Sequence, residues 1–129
     1  MLQRDYIMRL IHEFYEALEL FLNKDVSKRK EEIQKMYDQY VGPYAFYHTA
    51  AIEDVMKSME QFDEKERLPR LEMLAELYYD ESELMVGPMR TIMLKKALFL
   101  FDFLDHHART FDMNRLNKMN KIKTQLDNK

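Results

Sequence analysis

Two residue pairs in this chain have the types and spacing to share an ion: His12 with Glu16, and Asp102 with His106. A four-residue step on a helix puts both side chains on one face, where imidazole and carboxylate can act as joint ligands. Di-metal helical bundles, however, draw inward Glu-x-x-His pairs and further inward glutamates from several helices. No Glu-x-x-His occurs here, and Glu13 and Glu16 fall on the polar side of their helix. A metalloprotein built on His12, Glu16, Asp102 and His106 is therefore the third reading of the chain, and no metal or cofactor is expected. Nucleophilic catalysis has even less to work with. Cysteine is absent, and Ser27, Ser58 and Ser82 lie in polar contexts. The two isolated glycines, Gly42 and Gly87, cannot build a phosphate-cradling loop. His106 and His107 close a helix, where imidazoles can serve carbonyls of the last turns. His48, among Tyr44, Tyr47 and Thr49, reads as a packed, hydrogen-bonded core histidine. An enzyme is not expected.

Two further signals concern binding. The net charge of −3 is uneven: from Arg109 onward the chain carries +4, and the residues before it −7. A basic end on an acidic body could contact nucleic acid through Arg115, Lys118, Lys121 and Lys123, although such a run is more often a solvated helix face. The eleven methionines and eight tyrosines are the other signal. Methionine adapts to irregular surfaces but also fills core gaps. Met56, Met59, Tyr78, Met85, Met89 and Met93 accordingly read either as a partner groove between helical hairpins or as core.

The elements that must carry these residues are helices. With so few glycines and only three prolines, the chain lacks the turns that a β-rich fold of 129 residues would need. Ile7, Leu10, Ile11, Phe14, Leu18 and Phe21 recur at three- and four-residue steps, predicting a first helix over about Gln3–Asn23. That stripe is wide, so it is either a face for a second copy of the chain or packed on the following two helices. A second helix is expected after Asp25 or Ser27, with Ile33, Met36, Tyr37, Tyr40 and Val41 inward, ending at Gly42-Pro43. The third should cover about Pro43–Gln61, and the fourth should follow Asp63 with Pro69 in its first turn. The fifth, about Pro88–His107, is apolar on nearly all sides and should be the most enclosed. The sixth should follow Asp112 as N-cap. The tripeptides Val41-Gly42-Pro43 and Val86-Gly87-Pro88 lie 45 residues apart, a separation that stacked hairpin repeats would give.

A composition of 47% hydrophobic and 33% charged residues is that of a globular chain. No stretch approaches the ~20 apolar residues of a membrane span, and the amphipathic start is unlike a signal peptide. A single cytoplasmic domain over residues 1–129, without membrane contact, is the expectation. Arg4-Asp5-Tyr6-Ile7-Met8-Arg9-Leu10-Ile11, Leu74-Ala75-Glu76-Leu77-Tyr78, Lys96-Ala97-Leu98 and Phe111-Asp112-Met113-Asn114-Arg115 resemble segments of a family of small uncharacterised bacterial all-helical proteins. The resemblance implies a tetratricopeptide-like helical body and assigns no functional residue. The expectation is thus an all-α fold of about six helices, in stacked antiparallel hairpins or an irregular bundle. Its function reads as a non-enzymatic protein–protein interaction module for a protein, a peptide or a second copy. Nucleic-acid contact through the basic C-terminal helix is the alternative.

Overall fold

A computed structural model describes residues 2–108 and 111–128, and side chains from Tyr6 onward. Among these residues the chain is helical throughout, with no strand. The helices are α1 (Leu2–Leu22), α2 (Val26–Tyr40), α3 (Tyr44–Thr49), α4 (Ile52–Ser58), α5 (Glu64–Ser82), α6 (Gly87–His107) and α7 (Met113–Asp127), with a 3₁₀ turn at Met59–Gln61. No described helix is long and apolar enough to cross a membrane. Contacts group the chain into two compact units, Met1–Met73 and Leu74–Lys129, with the boundary inside α5.

In the first unit α1 and α2 run antiparallel. Phe14 packs edge-on to Tyr40 at 5.3 Å, and at the other end Arg29 Nη2 donates to the Leu22 carbonyl at 2.6 Å. Asp25 caps α2 with its backbone carbonyl, which accepts from Lys28 and Arg29. The α1 stripe turns inward: Ile7, Phe14, Leu18 and Phe21 are buried, and Leu10 and Ile11 half-buried. Of the two readings of that stripe, packing within the chain is the one realised. These six residues therefore do not form an open face for a second copy, because α2 already covers what the stripe needs to hide. Tyr15 Oη donates to Glu72 at 2.8 Å, tying α1 to the first half of α5. Arg70, also buried, donates to the Tyr40 carbonyl and to Glu66 and lies 4.7 Å from the Phe62 ring centre.

The third helix differs most from its expectation. The spacing predicts one helix over Pro43–Gln61, but Ala50 and Ala51 are extended (ψ 142° and 155°) and split it into α3 and α4. Alanine is the best helix former, so the break comes from packing. Tyr47 is buried, and its hydroxyl meets Ser58 Oγ at 2.9 Å and Gln61 Nε2 at 3.2 Å. In a continuous helix residues 47 and 58 would be ~16 Å apart along the axis, beyond a tyrosine's reach. The chain must fold back to close that bond. His48 is half-buried at the surface rather than in the core, stacked on Tyr44 with Nδ1 3.1 Å from its hydroxyl. Pro69 lies past the first turn of α5, and the helix continues through it.

In the second unit α6 and α7 form an antiparallel hairpin, with Gly87–Leu94 beside Gln125 and Asn128, and Asp105 beside Arg115. Met93, Leu94, Ala97, Leu100, Phe101 and Leu104 bury one side of α6, and Met119 and Ile122 bury the facing side of α7. Asp112 caps α7 as its sequence position predicts, accepting from the Arg115 amide at 3.2 Å.

Candidate interaction surface

Residues expected to carry chemistry are dispersed. His12 and Glu16 form an exposed pair at 3.3 Å in the first unit, and His106 and Asp102 one at 3.6 Å in the second. Among the described residues no group of three His, Asp or Glu side chains could hold a metal ion. The histidines ending α6 reach back to carbonyls, His106 Nδ1 to Asp102 at 2.8 Å and His107 Nδ1 to Phe103 at 2.9 Å.

Half of the basic stripe turns inward. Arg115 is buried between Asp105 and Asp112, at 3.4 and 3.9 Å, and Lys118 pairs with the buried Glu76 of α5. Only Lys121 and Lys123 of the four face solvent. The sequence could not show this, because Asp105 and Glu76, unlike the neighbouring Asp112, lie on other helices. The second unit also buries Lys96 (8% exposed), its ammonium 4.5 Å from the Tyr78 ring centre. Burial lowers the Lys96 pKa, against the opposing pull of Glu81 on α5.

The groove residues divide between the two units. Met56 and Met59 belong to the first unit, and Tyr78, Met85, Met89 and Met93 to the second. Met59, Tyr78 and Met93 are core side chains, Met56 and Met85 are half-buried, and only Met89 is exposed. The core-filler reading holds for those three, because they fall on the inward faces of their helices.

What remains open is the outward face of α6. Ile92 and Phe99 are 47% and 45% exposed, two turns apart, and Met89 is 38% exposed one turn before Ile92. Lys95 and Asp102 alternate with them on the same side, both exposed. The helix is apolar on nearly all sides, and its inward half alone suffices to meet the rest of the unit, so this stripe is left over. Lys95, Leu98, Phe99, Asp102 and Lys123 of α7 surround a shallow depression of about 310 Å³. A second open depression of about 760 Å³ lies at the start of α6, lined by Pro88, Arg90, Ile92 and, from α7, Gln125 and Asn128. Sequence reading took α6 as the most enclosed element and so missed this face. The signal was present in Phe99 and Ile92, which lie off the side defined by Ala97, Leu100, Phe101 and Leu104.

Compared with family models, curated proteins and solved structures, the chain matches none of them.

Proposed function

We propose that this chain is a non-enzymatic helical interaction module that engages a protein partner through the outward face of α6. The observation that carries the reading is the Met89–Ile92–Phe99 stripe, three large apolar side chains in register on one helix face, interleaved with Lys95 and Asp102. Exposed apolar stripes with polar edges are where partners dock, and an aromatic beside a depression is the usual anchor. Each unit contributes an antiparallel hairpin, α1–α2 in the first and α6–α7 in the second, the element from which a helical interaction module is built. The burial of Met59, Tyr78 and Met93 moves the docking place from a groove between hairpins to the face of one helix.

A photo-crosslinking benzoylphenylalanine in place of Phe99 tests this in cells that make the protein. It should give a discrete adduct, whereas the same group in place of Lys28, exposed on α2, should give none. Absence of an adduct at position 99 overturns the reading.

A further inference from the structure

We infer that the partner on this face is a second copy of the chain, two α6 helices packing antiparallel about Phe99 with Lys95 of each against the partner's Asp102. The inference rests on the docking reading above and names its occupant. Its basis is a charge pattern that is complementary to itself when reversed. Lys95 precedes Phe99 by four residues and Asp102 follows it by three, all on the outward side of one helix. A two-fold axis at Phe99 places each residue opposite one equally far along in the other direction. At 1.5 Å rise per residue, Lys95 then comes within about 1.5 Å of axial register with the partner's Asp102. The two-fold repeats that contact, so one helix face supplies two opposite-charge pairs flanking an aromatic centre. A parallel arrangement in register would instead set Lys95 against lysine and Asp102 against aspartate.

The shape agrees with the charge. The depression beside Phe99 is walled by Leu98 and the stems of Lys95 and Lys123, a site for the partner's Phe99 ring. Ile92, seven residues before Phe99, comes opposite the partner's His106, seven after it, at the edge of the contact. Among the described residues Asp102 pairs with the exposed His106, an ion pair that contributes little. Its carboxylate can therefore take the partner's lysine. Lys123 stays at the rim in water. A single helix pair is at the small end of stable interfaces, so the association should be micromolar.

Sedimentation equilibrium from about 10 to 500 µM tests the arrangement over that affinity range. The wild type should dimerise and Phe99→Asp should be monomeric. Lys95→Glu and Asp102→Lys should each self-associate about tenfold more weakly or worse. Mixed in equal amounts, these two variants should associate with each other, since the carboxylate of Lys95→Glu meets the ammonium of Asp102→Lys at one contact and Lys95 meets Asp102 at the other. All three sites are exposed, and unchanged helicity and melting temperature should show that the variants are folded. A wild type that stays monomeric to 500 µM, or charge variants that fail to associate when mixed, overturns the second-copy inference. Crosslinking at position 99 separates the two proposals: an adduct with a different protein sinks only this one, and no adduct sinks both.

Discussion

The segments that follow the two Val-Gly-Pro tripeptides begin alike and fold differently. After Gly42-Pro43 the chain makes six residues of α3, breaks at Ala50-Ala51 and starts again as α4. After Gly87-Pro88 it makes 21 uninterrupted residues of α6. Forty-five residues on from Tyr47 stands Ile92. Tyr47 is buried and must find partners for its hydroxyl, which it does at Ser58 and Gln61 by turning the chain back. Ile92 has no polar tip, so nothing interrupts its helix, and it ends exposed. The glycines differ as well. At Gly42 a Cβ would fall 2.8 Å from Tyr47 Cε2 in an ordinary backbone conformation, whereas Gly87 has open space around it and a φ of +61°. The same three letters thus satisfy a steric need in one place and a conformational need in the other. The buried polar groups follow suit. Around α3 and α4 the buried Tyr47 hydroxyl is neutral, whereas α6 buries an ammonium, Lys96, opposed by the Glu81 carboxylate.

The largest effect should come from breaking the ionic side of that contrast. Lys96→Met removes the positive charge that opposes Glu81, a carboxylate 1% exposed. Stripping one member from a buried charge pair costs about 3–5 kcal/mol. Adding Glu81→Gln should return most of that stability. Urea unfolding of the wild type, the single and the double variant measures it, and a single variant as stable as the wild type would show that the ions contribute nothing to the packing of α6. The glycine contrast should be smaller and separable. Gly42→Ala crowds the Tyr47 ring and should cost about 1–3 kcal/mol, with most of that loss absent in a Tyr47→Leu background. Gly87→Ala should cost about 1–2 kcal/mol through backbone strain alone, and no neighbouring substitution should relieve it. Equal responses of the two sites to Tyr47→Leu would erase the distinction.

The all-helical fold was legible in the sequence because burial here follows helical periodicity almost everywhere. The α1 stripe, the Asp112 cap and the ends of α2 and α6 all rest on local pattern. The break at Ala50-Ala51 was not legible, because it answers a bond from Tyr47 to residues eleven and fourteen positions away, while alanine itself favours the helix. Nor was the inward turn of Arg115 and Lys118, since a charge run shows its sign but not whether Asp105 or Glu76 lies beneath it. The candidate site was half legible. Methionine and aromatic richness pointed to contact surfaces, yet which of these residues are surface depends on how much of α6 its own unit covers. Met89 was found that way, and Ile92 and Phe99 were not.

The smallest effect concerns the far end of the α6 face and tells whether its charges act as they are drawn. His106 has its pKa raised above 6.5, first by the bond from its ring to the Asp102 carbonyl, then by the Asp102 and Asp105 carboxylates, with a small opposing effect of burial. The histidine is more basic folded than unfolded, so its contribution to stability is fully present below pH 6.5. It fades as the pH rises through the folded value. Because the group is fully exposed, the readout is the titration itself rather than unfolding. Imidazole proton shifts followed by NMR should show His106 titrating above 6.5, and Asp102→Asn should lower its midpoint while leaving the ring-to-carbonyl bond in place. If His106 titrates at 6.5 in both proteins, neither the ring-to-carbonyl bond nor the Asp102 carboxylate acts on it. The carboxylate that the two-fold arrangement assigns to the partner's Lys95 would then have no tie to His106 to give up.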